Sequence, residues 1–438
     1  MRLSSTISLA MPGTFDNKQR TFFDSPQNVW RPIHYLGSKL RLTDSIGSLL
    51  DELSKGTVCD LFAGSGTVSL ALSHSRTVVA ADIQEYSRVL CTAILRPVPI
   101  TDHEVIELTV RAQQCQKKLE PFLEPLLDYE QRAIELAETH PELLCDLVEN
   151  GSLLLESHAD GKLLKALEET KRRIKAGGRS LLVTTYFGGR YFSYKQSLSL
   201  DSLLNEIEGE TCLAAVLSTA STIVNSVGKQ FAQPLRPRRR DGSIKTHLIQ
   251  QMCRDRMEDA GRIFADWLSR YRSVVQKRPH QVFRGDFRSV LANLENVDVI
   301  YADPPYTRDH YSRFYHVLET LCLRDNPAIS STFMSGPISR GLYRTDRHQS
   351  PFCIKSKAPT AFMELFSGAN GRPLLISYSP FVKDGHPRLM TIEAITALAK
   401  KHYKSVKVVP ATIAHSKLNK TSLHLDASNN AEVFIACR

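Results

Sequence analysis

An apolar segment of the chain ends at an acid, two prolines and a tyrosine: Asp303, Pro304, Pro305 and Tyr306. Two consecutive prolines fix two φ angles and remove two backbone donors, so they predict a rigid corner that holds a carboxylate beside an aromatic ring. The carboxylate and a backbone carbonyl fixed by Pro304 could each accept one N–H of an exocyclic amino group. The Tyr306 ring could stack on a base taken out of a nucleic-acid helix. The alternative is a plain turn of two prolines.

The chemistry that such a corner suits is transfer of a methyl group to the amino nitrogen of adenine. That nitrogen is a poor nucleophile because its lone pair is delocalised into the ring. Two acceptors would draw it toward tetrahedral geometry and localise the lone pair toward the incoming methyl group. Methylation of a cytosine ring carbon would instead need a nucleophilic cysteine, usually after a proline. The nearest sequence, Pro351-Phe352-Cys353, does not match that pattern.

A glycine loop, DLFAGSG (60–66), follows a predicted strand and opens a predicted helix. Gly64 and Gly66 allow the backbone to approach a ligand closely and present N–H groups at a helix N-terminus. Asp82 ends the next strand, where doubly wound folds place a carboxylate that binds ribose hydroxyls. The acid follows sooner than in dinucleotide-binding sequences, and the third glycine is missing. The loop therefore predicts a nucleoside cofactor without a pyrophosphate, S-adenosyl-L-methionine, although a simple tight turn would explain the glycines alone.

The elements that must position these residues form a strand–turn–helix–strand unit, which predicts an α/β fold with a doubly wound parallel sheet. A mainly helical stretch with Glu/Lys faces interrupts the strands. We predict an N-terminal extension at 1–30, a catalytic domain at 31–100 and 276–438, and a helical insertion at 101–275. The predicted strands are 57–62, 77–82, 281–286, 297–303, 373–379, 405–412 and 432–438.

Composition sets the broad class of the protein. The chain has 438 residues, 42% of them hydrophobic, and a formal net charge of +10. A basic balance suits a polyanion such as DNA, although a merely basic enzyme would look the same. The nine cysteines have no C-x-x-C spacing, so we expect buried thiols in a reducing cytoplasm and no metal site. No apolar run is long enough for a membrane span, so we expect a soluble, cytoplasmic protein.

Three motifs together resemble a known family. HYLGSKLRL (34–42) has the form Tyr-x-Gly-x-Lys and precedes DLFAGSG (60–66), while DPPY (303–306) comes late, after a long intervening segment. In this order they resemble the Dam-like, alpha-arranged adenine-specific DNA methyltransferases. The resemblance implies a Rossmann-like methyltransferase sheet, S-adenosyl-L-methionine as cofactor and double-stranded DNA as substrate, with the inserted helical domain as the target-recognition region.

The resemblance also implies roles for single residues. The first motif would close over the methionine part of the cofactor, the glycine loop would line it, and Asp82 would hold the ribose. Asp286 would bind the cofactor's adenine amino group, and Phe287 could stack on it. The alternatives are a solvated lysine for Lys39 and a helix cap for Asp286. The predicted cofactor-binding residues are Tyr35, Gly37, Ser38, Lys39, Asp60, Phe62, Gly64, Gly66, Asp82, Asp286 and Phe287.

Basic residues in four regions are candidates for binding DNA. One is the run PLRPRRRDGSIK (234–245), one is the aromatic stretch around Arg190, and one is the helix predicted at 307–321. A fourth, AHSKLNKTSLHL (414–425), joins two late strands. Solvated loops or core packing are the alternatives, and for Phe187 and Phe192 we favour the core. The predicted DNA-binding residues are Arg190, Arg236, Arg238, Arg239, Arg240, Lys245, Arg308, Arg313, Lys417 and Lys420.

The sequence as a whole favours a site-specific DNA adenine-N6 methyltransferase that flips its target base. Such enzymes usually serve restriction–modification or a related defence system, so a cognate restriction or defence protein is a possible partner. Two alternatives stay open. One is an RNA or protein-glutamine amino methyltransferase, although those families more often have Asn at the position of Asp303. The other is a catalytically silent DNA-binding module.

Overall fold

The computed structural model describes residues 29–155, 159, 161–178, 180–307, 310–331, 339–379, 389–411 and 432–438. The predicted N-terminal extension lies outside this part of the chain except for its last two residues. Three predicted DNA-binding residues also lie outside it: Arg308, Lys417 and Lys420.

A seven-stranded sheet in the order β3-β2-β1-β4-β5-β7-β6 forms the centre of the protein. The first five strands run parallel, while β7 pairs antiparallel with both β5 and β6. The predicted α/β, Rossmann-like sheet is thus confirmed. The strands are β1 (Val58–Asp60), β2 (Val78–Asp82), β3 (Gln281–Arg284), β4 (Val299–Ala302), β5 (Leu374–Tyr378), β6 (Val406–Pro410) and β7 (Val433–Cys437).

All seven predicted strands are present, each shorter than predicted. β1 ends at Asp60 because Leu61 and Phe62 already belong to the turn before the glycine loop. β3 ends at Arg284 because the Asp286 carboxylate accepts the Arg288 N–H at 3.0 Å and so begins a helix. Side chains at strand ends are therefore displaced into turns, where they can face a ligand.

Helices account for most of the remaining described residues. The helix predicted at 307–321 begins only at Tyr311 and is interrupted at Tyr315. The helices are α1 (Thr43–Leu53), α2 (Thr67–Ser73), α3 (Glu85–Leu95), α4 (Asp102–Glu135), α5 (Pro141–Asn150), α6 (Gly161–Gly177), α7 (Leu182–Phe187), α8 (Tyr194–Glu206), α9 (Gly209–Ile223), α10 (Thr246–Met257), α11 (Ala260–Arg272), α12 (Phe287–Ala292), α13 (Tyr311–Phe314), α14 (His316–Leu323), α15 (Ala358–Gly368) and α16 (Ile392–Ala399).

Apolar side chains cover both faces of the sheet, as a doubly wound fold requires. One face packs against α2, α3, α9, α11 and α14, and the other packs against α12, α15 and α16. A third cluster of buried residues lies among α4, α5, α6, α8 and α10. The inner strands β1, β2, β4, β5 and β7 are therefore mostly buried on both sides, whereas the edge strands β3 and β6 are largely exposed.

The predicted insertion is helical, but only part of it forms a core of its own. Helices α9 and α11 share the first sheet-facing core with α3, and Phe187 and Phe192 are buried in that same core, as predicted. Helices α4, α5, α6 and α10 pack mainly around the separate third core. The inserted segment thus both covers the sheet and projects a second helical body.

Across the described residues, no helix combines the length and apolarity that crossing a membrane requires.

Candidate active site

The glycine loop joins β1 to α2 and forms one wall of a cavity at the carboxyl edge of the sheet. Gly64 and Gly66 both have positive φ, of 53° and 75°, a conformation that other residues rarely adopt. A Cβ at Gly64 would lie 2.5 Å from the Tyr35 hydroxyl, and one at Gly66 would lie 2.6 Å from Ile94 Cδ1. Glycine is therefore required at both positions by conformation and by space.

The cavity is lined from three regions of the chain. These regions are the Tyr-x-Gly-x-Lys segment, the glycine loop with the ends of β1 and β2, and the predicted catalytic residues 303–306, which we call the catalytic corner. The structure thus brings the three predicted motifs to one place. The glycine loop and the corner meet there because the carboxyl ends of parallel strands share one sheet edge. The Tyr-x-Gly-x-Lys segment follows none of the described strands and reaches that edge through the Lys39–Asp303 ion pair. Predicted residues that line the cavity are Tyr35, Gly37, Ser38, Lys39, Asp60, Phe62, Asp82, Asp286, Phe287, Asp303 and Pro305.

Two buried polar atoms in the cavity wall have unused hydrogen-bonding capacity. The Asp60 carboxylate accepts the Ser69 hydroxyl at 2.6 Å through Oδ2, while its Oδ1 has no hydrogen-bond partner among the described residues. The Ser38 hydroxyl is likewise unpartnered there. Burial raises the pKa of Asp60 to about 7, although the Ser69 hydroxyl opposes that rise. Buried polar atoms without partners are costly, so these two are suited to a ligand.

Asp82 ties the glycine loop to the end of β2. Its Oδ2 accepts the Gly64 N–H and its Oδ1 accepts the Gln84 N–H, both at 2.9 Å. Burial raises the pKa of Asp82, and these two backbone donors oppose the rise. The Ser87 hydroxyl and the Ile83 N–H also lower the pKa of Asp82, so donors of the chain itself use much of its accepting capacity. Asp82 therefore fixes the loop as well as facing the cavity.

Asp286 and Phe287 form the opposite wall. The helix-cap role considered for Asp286 is confirmed, and its carboxylate also pairs with Arg288 at 3.2 Å. The Phe287 ring is buried, with its centroid 5.9 Å from that of Phe62 and 5.1 Å from that of Phe352. The two phenylalanines Phe62 and Phe287 thus present an apolar surface to the cavity.

The catalytic corner holds a carboxylate with one oxygen occupied and one free. Asp303 follows β4, and its side chain is 19% exposed. Its Oδ2 pairs with Lys39 Nζ at 2.8 Å, whereas no donor in the described chain reaches Oδ1. Burial raises the pKa of Asp303, and the Lys39 ammonium lowers it. The corner therefore presents one unsatisfied acceptor beside the cavity.

Lys39 is buried, with a side chain only 4% exposed, so its alternative role as a solvated lysine is wrong. Its ammonium pairs with two carboxylates, Asp303 and Glu432, each at 2.8 Å. Burial alone would lower the pKa of Lys39, but these two negative charges raise it well above its usual value. Lys39 is therefore charged, and its charge is directed at the catalytic corner.

Tyr306 is held beside that ion-pair cluster. Its hydroxyl donates to Glu432 at 3.2 Å, and its ring centroid lies 5.1 Å from that of Tyr378. Lys39 Nζ lies 5.9 Å from the centre of the Tyr306 ring. The ring is thus fixed at its hydroxyl and along one side.

A family model described as D12 class N6 adenine-specific DNA methyltransferase matches residues 35–144 and 255–335. The chain is 24% identical over 386 residues to the Type II methyltransferase M.FokI of Planomicrobium okeanokoites, an alignment that covers 84% of this chain and 47% of that protein. It is 23% identical over 351 residues to the modification methylase LlaI of Lactococcus lactis subsp. lactis, covering 79% and 46%. It is 22% identical over 360 residues to the Type II methyltransferase M.NlaIII of Neisseria lactamica, covering 79% and 83%.

The predicted resemblance to the Dam-like adenine-specific DNA methyltransferases is confirmed. The chain spans about half the length of M.FokI and LlaI. The two matched segments of the methyltransferase model contain the first motif, the glycine loop and the catalytic corner. They leave residues 145–254 unmatched, which is the middle of the helical insertion.

The basic run of the helical insertion folds as an irregular hairpin with a bridge between Arg238 and Ile244. Arg236, Arg239 and Arg240 are exposed on it, and Lys245 Nζ donates to the Arg236 carbonyl at 2.9 Å. Arg238 differs from these. Its guanidinium is occupied by two carboxylates of α5, so the structure gives it an anchoring role that the DNA-binding prediction did not include.

The two carboxylates that pair with the Arg238 guanidinium belong to Asp146, at 2.6 Å, and Glu149, at 2.7 Å. Arg190, which was predicted to bind DNA, is only 3% exposed. Arg313 is half-buried on α13, where its Nε donates to the Tyr343 hydroxyl at 3.0 Å.

Sequence reasoning missed two residues at or near the candidate active site. Glu432 precedes β7, and its only signal was a single acid before the last apolar segment. Glu319 of α14 accepts the N–H groups of Glu85 and Tyr86, each at 3.0 Å, and so caps α3 below Asp82. Its position within an apolar helix was a signal, because a buried carboxylate needs partners.

Proposed function

We propose that the protein is a site-specific DNA adenine-N6 methyltransferase that uses S-adenosyl-L-methionine and flips its target adenine. The observation that carries the proposal is the unsatisfied Oδ1 of Asp303 at a cavity that also contains the glycine loop. The family match and the names of the related methyltransferases support it.

The residues of the cavity fit this cofactor. The unpartnered Ser38 hydroxyl can donate to a carboxylate, and the unpartnered Asp60 Oδ1 can accept from an ammonium, which matches an amino-acid end group. The Asp82 carboxylate lines the cavity as the proposed acceptor of a ribose hydroxyl, and Phe62 and Phe287 offer apolar surface to an adenine ring. When bound, the cofactor supplies an electrophilic methyl group on a sulfonium.

Asp303 would act on the target amino group by accepting one of its N–H bonds through Oδ1. The pair with Lys39 occupies Oδ2, so the free oxygen has a defined direction. A carboxylate acceptor in a partly dry site gives a stronger hydrogen bond than it would in water. The backbone carbonyl at the Pro304 corner is the proposed acceptor of the second N–H, and together the two localise the lone pair on nitrogen.

Tyr306 would stack on the flipped base. Its hydroxyl bond to Glu432 and its contact with Tyr378 fix the ring before any base arrives. A ring fixed in advance loses little entropy on binding. Base flipping itself costs a few kcal/mol of unstacking, which such a stacking surface offsets in part.

The exposed part of the basic run is the proposed contact with DNA phosphates. The segment leading into it packs beside α13, since Phe231 N donates to Phe314 O at 3.0 Å. Helix α13 in turn places Tyr311 and Ser312 in the wall of the active-site cavity. The proposed surface residues are Arg236, Arg239, Arg240, Lys245 and Arg313, and we propose Arg308, Lys417 and Lys420 from their sequence positions alone.

Arg190 contributes to this proposal in another way. Its Nε is buried, and no acceptor in the described chain reaches it. Burial and the neighbouring Arg340 lower the pKa of Arg190 to about 10. Within the part of the chain that the structure describes, neither guanidinium forms an ion pair, so we assign a DNA phosphate to this pair.

The helical body of the insertion is the proposed target-recognition region, within the predicted boundaries of 101–275. Its unmatched middle, residues 145–254, carries the basic run and Arg190. The names of the relatives support a role in restriction–modification or a related defence system, with a cognate defence protein as a possible partner. An RNA or protein-glutamine amino methyltransferase is the second candidate, and the intact acid at Asp303 favours DNA adenine.

Methyl transfer with separate substrates tests the proposal. The protein is incubated with S-adenosyl-L-methionine that carries a labelled methyl group, and mixed-sequence double-stranded DNA, bulk RNA and a protein extract are offered separately. Label in N6-methyladenine from DNA is the expected result. Label only in RNA or on glutamine would replace the proposed substrate, and cofactor binding without any transfer would favour a silent module.

A further inference from the structure

The Lys39 ammonium has three acceptors and no spare proton. It donates to the Gly37 carbonyl at 3.1 Å and pairs with Asp303 Oδ2 and Glu432 Oε1, each at 2.8 Å. An ammonium carries three N–H bonds, so all three are used. Lys39 would therefore have to give up a partner before it could bind the cofactor directly.

Glu432 reaches the catalytic corner because β7 runs against its neighbours. The antiparallel pairing sets Val433 opposite Tyr378, the last residue of β5. The amino end of β7 thus lies at the sheet edge where the parallel strands end. The Glu432 side chain is 16% exposed, and its Oε1 also accepts the Tyr306 hydroxyl at 3.2 Å. One carboxylate oxygen therefore contacts both Lys39 and Tyr306.

We propose that Glu432 is a positioning residue for methyl transfer, which holds Lys39 on Oδ2 of Asp303 and fixes the Tyr306 ring, so that Oδ1 is the acceptor turned toward the target amino group. This inference rests on the proposed function. Glu432 touches neither reacting atom, and it acts through the two side chains that it orients.

Glu432 and Lys39 act on Asp303 in opposite directions. Burial raises the pKa of Asp303, Lys39 lowers it, and the negative charge of Glu432 raises it further. Removal of the Glu432 charge should therefore lower the pKa of Asp303, and removal of the Lys39 charge should raise it. The charged or titratable groups that interact with Asp303 are Lys39, Asp60, Tyr301, Tyr311 and Glu432.

The test compares pH profiles of kcat for wild type, Glu432→Gln, Glu432→Asp and Lys39→Gln, with Glu393→Gln as the control. Glu393 is a fully exposed glutamate on α16, so its variant loses the same charge away from the cavity. We expect kcat of both Glu432 variants to fall about 10- to 100-fold, because a displacement of about 1 Å has that effect. Affinity for S-adenosyl-L-methionine should stay within about twofold.

The fall of kcat at low pH, which is the acid limb of the profile, distinguishes a positioning role of Glu432 from a merely structural one. It should move to lower pH in Glu432→Gln, to higher pH in Lys39→Gln, and stay near wild type in Glu432→Asp, which keeps the charge. An unchanged kcat and acid limb in Glu432→Gln would overturn the inference. So would shifts of the same sign in the Gln variants of Glu432 and Lys39.

A second measurement keeps this inference distinct from the proposed function. In protein labelled with ¹³C at aspartate carboxyls, the Asp303 signal is assigned by its loss in Asp303→Asn and titrated in each variant. The opposite shifts are expected there even if no substrate is known. Inactive wild type with those shifts would overturn only the proposed reaction, whereas active wild type without them would overturn only the role of Glu432.

Discussion

Replacement of Asp303 by asparagine tests the centre of the proposed mechanism. The amide has nearly the same size as the carboxylate, and its oxygen can still accept from Lys39, which now sits 2.8 Å from Oδ2. The amide nitrogen would then take the position of Oδ1. A donor would face the target amino group where an acceptor is required, so the lone pair would no longer be drawn out of the ring.

The size of the effect follows from two losses. A hydrogen bond to a charged group contributes about 1.5–3 kcal/mol, and a buried donor left without an acceptor costs about 1–3 kcal/mol. Together they predict a loss of about 10²- to 10⁴-fold in kcat. Lys39 keeps Glu432 as its counter-ion at 2.8 Å, so the variant should fold and bind the cofactor within about threefold of wild type.

The assay pairs labelled methyl transfer with calorimetric titration of S-adenosyl-L-methionine. Asp298→Asn is the matched control, because Asp298 precedes the same strand and accepts the Thr57 N–H at 2.7 Å, a bond that an amide oxygen can also make. Its activity should be close to that of wild type. Transfer by Asp303→Asn within tenfold of wild type would refute the reasoning, and so would a parallel loss of cofactor binding.

Three further predictions follow from the site and the basic run. Gly64→Ala should weaken S-adenosyl-L-methionine binding at least about tenfold in calorimetry, because its Cβ would lie 2.5 Å from the Tyr35 hydroxyl at a positive φ; unchanged affinity would show that the loop can move aside. Asp60→Asn should be more stable than wild type at pH 8, by at most about 4 kcal/mol, since the Asp60 pKa is raised to about 7 by burial and its charge is costly above that pH. The gain should shrink as the pH falls toward 4 in thermal unfolding, and a gain that grows in acid would contradict the assignment. The double variant Arg236→Gln, Arg240→Gln should flatten the dependence of log K for DNA on log salt by about 1 for each lost phosphate contact, while the same slope as wild type would remove these exposed arginines from the interface.

The sequence by itself determined the motifs of the site and the parallel half of the fold. Asp303, Gly64 and Lys39 each belong to a short sequence pattern whose local geometry is set by the neighbouring residues. Asp303 precedes a double proline, Gly64 lies in a turn with positive φ, and Lys39 belongs to the Tyr-x-Gly-x-Lys motif. Alternation of apolar strands with a glycine turn and a helix was enough to predict a parallel sheet, and parallel strands place all their carboxyl ends at one edge. The meeting of the glycine loop with the Asp303 corner follows from that rule, whereas the place of the Tyr-x-Gly-x-Lys motif does not.

Only the tertiary structure decided how the charges are paired. Lys39 and Glu432 are far apart in sequence and lie 2.8 Å apart because β7 is antiparallel to β5, a reversal that strand patterns alone do not reveal. Arg190 and Arg238 read as surface cations from their neighbours in sequence, yet one is buried and the other is held by α5. Residue type fixes what a side chain can do, whereas its partners depend on which distant segments the fold brings within a few ångströms.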